Sequence, residues 1–119
     1  MIGTNITLLK DVNGNDVHLL DGVSFTVGNL ESVGCVIVNP EDDLLSVAPI
    51  DFDILVHMEE ISSVKKLTGM VFASNLSLFN KLGALQKKNL EYLRKTNVHD
   101  IIVKNSKYFK DYTEGVCNE

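Results

Sequence analysis

Several residue types are scarce or missing in this chain. It has no tryptophan, two prolines and two cysteines, and Arg94 is its one arginine beside ten lysines. Cys35 and Cys117 form no C-x-x-C motif, so both are predicted to be free thiols. No apolar run approaches the roughly 18 residues that a membrane-spanning helix requires, and the first residues lack the features of a signal peptide. These absences predict a cytoplasmic protein without a membrane segment.

The composition is that of an ordinary globular domain. Hydrophobic residues make up 45% of the chain and charged residues 23%, and 119 residues suffice for one core but not for two. A single domain over residues 1–119 is therefore expected. The excess of lysine over arginine, with abundant asparagine, is typical of AT-rich codons and favours a low-GC bacterium or its phage as the source.

Charge divides the chain into two parts. Residues 1–73 hold three lysines and eleven acids, a formal charge of −8, whereas residues 74–119 hold eight basic residues and five acids, a charge of +3. The simpler interpretation is a solvated surface with attraction between the two parts. The alternative is an acidic face directed at a basic partner.

The first part is predicted to be β-rich. Val23, Phe25 and Val27 alternate with polar residues as a half-buried strand requires, and turn-forming residues separate short apolar runs. Strands are predicted at 4–10, 16–20, 23–28, 33–38, 44–48, 53–57 and 61–66. Short strands joined by tight turns imply antiparallel hairpins, so the predicted fold is α+β with a small SH3-like barrel or a strongly twisted sheet.

An amphipathic helix is predicted from Ser74 onward. At 100° per residue, its large apolar side chains fall on one arc roughly 160° wide, the face that packs on a sheet. They are Leu78, Phe79, Leu82, Leu85, Leu90, Tyr92 and Leu93. Ser74 or Asn75 is expected to cap the first turn, and Asn97 to follow the last. A strand at 98–103, from its β-branched residues, and a terminal helix from Ser106 complete the prediction.

No motif predicts catalysis or a cofactor. Asp11-Val12-Asn13-Gly14-Asn15-Asp16 resembles the start of an EF-hand calcium loop, but Asp16 stands where that loop needs glycine, so a hairpin turn is the favoured interpretation. Nucleophile elbows and phosphate-binding glycine loops are absent from the sequence. An enzyme is therefore disfavoured, and neither a metal nor a cofactor is predicted. If a ligand site exists, His57, Asp51 and Asp53 are its polar candidates.

Candidate binding residues come from the acidic turns and from one polar residue of the helix. They are Glu41, Asp42, Asp43, Asp51, Asp53 and Asn89. Asn89 lies in the middle of the apolar arc, and a buried amide without partners costs roughly 1–3 kcal/mol. We expect it to bond a backbone group of the sheet. The alternative is a polar residue that fixes the register of a self-association interface.

Candidate nucleic-acid contacts lie on the back of the helix and in the tail. Lys81, Lys88 and Lys95 recur every seven residues and share one edge, with Glu91 placed to pair with its basic neighbours. Tyr108 belongs to a tail that interleaves aromatic and basic residues, a mixture suited to single-stranded nucleic acid. A solvated helix face and a tail pinned to the core are the simpler interpretations.

Three functional hypotheses follow. The first is a non-enzymatic binding or regulatory protein that acts through protein–protein contacts, such as a phage-type modulator of a host protein. The second is a nucleic-acid binder that uses the basic helix and the aromatic tail. The third is a small-molecule or enzymatic site inside a barrel. A homodimer is slightly favoured over a monomer.

Overall fold

A computed structural model describes residues 7–67 and 75–106 of the chain. The first part contains seven strands, each at a predicted place: β1 Thr7–Lys10, β2 Asp16–His18, β3 Gly22–Val27, β4 Leu30–Val38, β5 Leu45–Pro49, β6 Val56–His57 and β7 Ser63–Lys66. A 3₁₀ turn, Met58–Glu60, separates β6 from β7. The predicted strand at 53–57 is confirmed only for its last two residues, and residues 4–6 lie outside the described part.

Five of the strands form one antiparallel sheet in the order β6-β5-β4-β3-β7, and β1 and β2 form a separate hairpin. Gly28, at the turn between β3 and β4, has a φ of 60°, which a residue without Cβ adopts without strain. The α+β class and the antiparallel hairpins are thus confirmed. Closure into a barrel is not shown, because β6 and β7 end the sheet on opposite sides.

The centre of this sheet is buried on both faces. The last five residues of β4 and all of β5 are buried, although side chains alternate between the faces of a strand. Cys35 is fully buried, and its Sγ lies 3.4 Å from the Leu20 carbonyl oxygen. Burial raises the pKa of this thiol to about 12, so it is a free, protonated side chain of the core. Cys117 lies outside the described residues.

Helix α1, Leu76–Arg94, lies against β4. Asn75 caps it as predicted, its side chain accepting a hydrogen bond from the Leu78 N–H at 3.0 Å. The predicted arc is confirmed for Leu78, Leu82 and Leu93, which are buried, but Phe79 is 54% exposed. Within residues 7–67 and 75–106, no helix combines the length and the apolarity needed to cross a lipid bilayer.

The predicted strand at 98–103 is wrong: Val98–Lys104 forms a second helix, α2. Asn97, instead of following α1 as a C-terminal residue, caps α2 by accepting hydrogen bonds from the backbone N–H of His99 and Asp100. Ile101 and Ile102 are buried against the core. The terminal helix predicted from Ser106 falls almost entirely outside the described residues.

The turn between β1 and β2 contains the calcium-like motif, and it is the predicted hairpin turn. One oxygen of Asp11 accepts hydrogen bonds from the backbone N–H of Asn13 and Asn15. The other oxygen accepts one from the backbone N–H of Lys66 at 2.8 Å. These bonds, that from Lys66 above all, hold the pKa of Asp11 below its ordinary value. The Asp11 carboxylate therefore bonds the outer edge of β7 and accepts three hydrogen bonds from the protein backbone.

Candidate functional site

The loop between β5 and β6 exposes three large apolar side chains. Phe52 is 49% exposed, Ile54 61% and Leu55 36%. We call residues 51–55 the apolar loop. Exposed apolar groups are ordinary when scattered, but a contiguous set marks an interaction surface. The sequence prediction missed these residues because it assigned this segment in part to a strand. Pro49, which ends β5, was the signal that the chain leaves the sheet before Phe52.

A groove of about 330 Å³ lies between the apolar loop, the β4–β5 turn and α1. We call it the helix-side groove. Its apolar lining comes from Ile37, Pro40, Ala48, Pro49, Phe52, Ile54, Leu55 and Leu85, and its polar lining from Asn39, Glu41, Asp53, Lys88 and Asn89. The volume is at the small end of the range for ligand sites, roughly 300–1,000 Å³. Four of the predicted binding and contact residues therefore meet at one site: Glu41, Asp53, Lys88 and Asn89.

A second groove, of about 310 Å³, lies on the other side of the apolar loop. It is formed with the β3–β4 hairpin, where Leu30 is 50% exposed, and it shares Phe52, Ile54 and Leu55 with the first. The apolar loop is thus a ridge between two grooves. A partner that covers the ridge on both sides would bury these three side chains completely.

Only some of the charged side chains around the helix-side groove have ion-pair partners among the described residues. Asp51 lies 3.8 Å from Lys81, and this ion pair joins the acidic and basic parts of the chain. Glu41 and Asp53 are exposed, and neither has an ion pair within the described part of the chain. Among the described residues, Lys88 is the one basic residue that lines the groove. Two carboxylates are therefore available to a ligand from opposite walls of the groove.

Asp42 and Asp43, predicted as binding residues, hold the β4–β5 turn through intramolecular hydrogen bonds. The Asp42 carboxylate lies 2.7 Å from His57 Nε2 and accepts a hydrogen bond from the Leu44 N–H at 3.0 Å. Desolvation raises the pKa of Asp42, but these two bonds, together with attraction by His57 and Lys104, leave the pKa below its ordinary value. The Asp42–His57 contact raises the pKa of His57. It also ties β6, which directly follows the apolar loop, to the β4–β5 turn.

Tyr92 and Asn105 hold the same turn from the helices. The Tyr92 hydroxyl donates to the carboxylate of Asp43, which, with desolvation, raises the pKa of Tyr92 to about 12. Asn105 donates to the Asp43 carbonyl oxygen at 2.8 Å, where the backbone has a φ of 60°. This wall of the groove is therefore fixed before any partner binds.

Asn89 is buried at 4% exposure and bonds the sheet backbone, as predicted. Its Oδ1 accepts from the Val38 N–H at 3.0 Å and its Nδ2 donates to the Val38 carbonyl oxygen at 2.8 Å. Among the described residues, every buried side-chain nitrogen and oxygen has a hydrogen-bond partner. Asn89 thus shapes the floor of the groove, and its amide is fully used within the protein.

Two of the three lysines on the basic edge of α1 lie near the apolar loop, although all three are exposed. Lys81 pairs with Asp51 and Lys88 lines the groove, while Lys95 is exposed at the C-cap of the helix. Glu91 forms none of the expected ion pairs with its basic neighbours in residues 75–106. Tyr108 lies outside the described residues. The positive charge of the edge is partly offset where it approaches the groove.

The three polar candidates for a ligand or catalytic site do not meet in one cavity. Asp53 lines the helix-side groove, His57 lines a separate cavity of about 140 Å³ with Lys104 and Asn105, and Asp51 lines neither. No group of three or more His, Cys, Asp or Glu side chains within the described ranges is placed to hold a metal ion. The arrangement offers apolar contact and charge.

Fold and site together define a small α+β protein whose open antiparallel sheet carries a helix and an apolar surface groove. Comparison of the chain with protein-family models, with curated proteins and with solved structures found no match. The functional argument therefore depends on the groove itself.

Proposed function

We propose that this chain is a non-enzymatic protein-binding protein that acts through protein–protein contacts at the apolar loop. The observation that carries the proposal is the exposure of Phe52, Ile54 and Leu55 on one ridge between two grooves. Burying a large apolar side chain contributes roughly 1.5–3 kcal/mol when the burial is complete. The central, well-packed apolar residues of an interface supply most of its binding energy.

The rigid surroundings of the loop support this proposal. His57 and Asp42 connect β6, which directly follows the loop, to the β4–β5 turn, and Asn105, at the C-cap of α2, bonds that turn. A wall that is ordered in advance reduces the entropy lost on binding. The regulatory, phage-type role belongs to the same proposal, and its support is the lysine-rich, arginine-poor composition.

Selection from a displayed random-peptide library tests this function. The baits are the wild type, the variant Phe52→Ser/Ile54→Ser and the control Val12→Ser/Val103→Ser, which removes two apolar side chains of similar exposure, 65% and 57%, that line neither groove. Circular dichroism and thermal unfolding confirm that each bait is folded. We expect peptides that bind the wild type and the control at least about tenfold more tightly than the loop variant.

Two outcomes would contradict the proposal. One is that no peptide is enriched on the folded wild type. The other is that the enriched peptides bind the Phe52→Ser/Ile54→Ser variant as well as they bind the wild type. Binding of single-stranded RNA or DNA that is lost in Lys81→Gln/Lys88→Gln and kept in the loop variant would instead favour the nucleic-acid hypothesis.

A further inference from the structure

We infer that the partner of the helix-side groove is a protein segment in which large apolar side chains stand next to lysine or arginine, and that it is not a second copy of this chain. The inference deepens the proposed function and rests on it. Its basis is the charge of the groove walls.

The groove combines an apolar lining with carboxylates on two walls. Glu41 belongs to the β4–β5 turn and Asp53 to the apolar loop, so a cationic side chain that enters between these walls approaches both. Because neither carboxylate has an ion pair in the described residues, a partner gains this attraction without breaking an existing contact. Apolar contact provides the affinity, and the two acids select the sign of the partner's charge.

The basic residue on the helix wall makes the charge of the groove different on its two sides. Lys88 is the basic residue of the lining, and it repels a cation that approaches along α1. Lys81, seven residues before Lys88 on the same edge, forms an ion pair with Asp51. The basic residue of a bound segment is therefore directed to the side of the groove formed by Glu41 and Asp53, with its apolar residues over the floor.

A second copy fits this surface poorly. A twofold dimer places the same patch of both subunits in contact, so residues near the axis meet their own counterparts. Glu41 and Asp53 would face like charges wherever they lie near that axis, in a chain whose formal net charge is −5. Opposed like charges cost binding energy, whereas a basic segment removes that repulsion.

The test is a displayed random-peptide selection followed by anisotropy titration of the enriched peptides at low and high salt. The charge variant is Glu41→Lys/Asp53→Lys. The control is Glu31→Lys/Glu91→Lys, which changes the net charge equally at exposed acids that do not line the groove. We expect peptides with apolar residues beside Lys or Arg. Their binding should weaken roughly tenfold in the charge variant, change little in the control, and weaken with salt.

Each other outcome has one meaning. If the enriched peptides depend on Phe52 and Ile54 but carry no basic residue, or carry Asp or Glu, the partner class inferred here is overturned and the proposed function stands. If no peptide depends on Phe52 and Ile54, the proposed function fails as well. If light scattering shows a dimer that Phe52→Ser/Ile54→Ser dissociates, the occupant is a second copy, and the inference is wrong.

Discussion

The side-chain amide of Asn89 takes the place of a neighbouring strand beside Val38, since it both accepts from and donates to the Val38 backbone. The strand β3 pairs with β4 as far as Cys35, and the backbone of Leu20 and Asp21 bonds Val36, so the open edge of β4 begins after Val36. On the next strand, Asn105 accepts a hydrogen bond from the Leu45 N–H at 2.9 Å. Val38 and Leu45 are opposite each other in the sheet, so an asparagine amide bonds the backbone on each outer side of this residue pair.

Replacing Asn89 with alanine should destabilise the protein substantially. The change leaves the Val38 N–H and carbonyl groups without partners in a buried place, which costs about 2–4 kcal/mol for the two. Asn80→Ala is the matched control, because Asn80 is exposed on the same helix. Urea unfolding should show the full loss for Asn89→Ala and less than about 0.5 kcal/mol for Asn80→Ala. Equal midpoints for the two variants would contradict this role of Asn89.

The hydrogen bonding of Asn89 to the sheet backbone was predicted correctly because two local rules apply to this residue. The helical period places it among apolar residues, and a buried amide requires partners, so a bond to the sheet backbone followed before the structure was known. The short strands were also predictable from a local pattern, because turn-forming residues separate alternating apolar runs. Neither rule shows which strand the amide reaches, because that contact spans 51 residues of the chain.

The segment at 98–103 was predicted wrongly because local preference is weak there. Its β-branched residues favour a strand, but their cost in a helix is only a fraction of a kcal/mol per residue. Capping by Asn97 and burial of Ile101 and Ile102 outweigh that preference. The position of Asp100, three residues after Asn97, was the overlooked signal of a helix start.

The candidate site was predictable only as separate residues. Glu41, Asp53 and Lys88 come from a turn, a loop and a helix that are far apart in the chain, and no sequence spacing predicts that they line one groove. The apolar loop escaped prediction because Phe52 and Ile54 alternate with acids as a half-buried strand would. What distinguishes this loop is that its apolar side chains stay 36–61% exposed in the fold, which is a property of the folded molecule.

Alanine substitutions at two glycines should have opposite signs. A Cβ at Gly34 would lie 2.5 Å from the Ala48 carbonyl oxygen and 2.7 Å from Val47 Cγ1, so Gly34→Ala must displace the β4–β5 pair and cost about 1–3 kcal/mol. A Cβ at Gly83, inside α1, meets nothing within 4 Å. Gly83→Ala should therefore stabilise the protein by roughly 0.5–1 kcal/mol. Thermal unfolding checks both, and a loss of stability in Gly83→Ala would contradict the packing described for α1.

The thiol of Cys35 should resist modification in the folded protein. It is fully buried, and its raised pKa leaves almost no thiolate at neutral pH. In a Cys117→Ser background, a disulfide reagent should react with Cys35 at the rate at which the protein opens, and immediately after unfolding in urea. Fast reaction under native conditions, without loss of the native circular-dichroism signal, would show that Cys35 is accessible.

The contact between His57 and Asp42 should make stability depend on pH in a defined window. The pKa of His57 is raised in the folded protein, so its contribution is complete below the ordinary histidine value of 6.5 and is lost as pH rises through the folded value. The pKa of Asp42 is lowered, so its contribution is present above the ordinary value of 3.8 and is lost as pH falls through the folded value. The stabilisation is therefore greatest between these limits, near pH 5–6.

The measurement is a double-mutant cycle over pH with His57→Gln, Asp42→Asn and the double variant. Each side chain is 35% exposed, so solvent screening limits the coupling to about 1 kcal/mol or less at its maximum. The coupling should decline above the histidine range and again at acid pH. Glu59 and Glu60 also raise the pKa of His57, so a smaller pH dependence should remain in Asp42→Asn. A coupling that is constant from pH 4 to pH 9 would mean that the contact contributes by packing alone and that ionisation of His57 does not control how the apolar loop is tied to the turn.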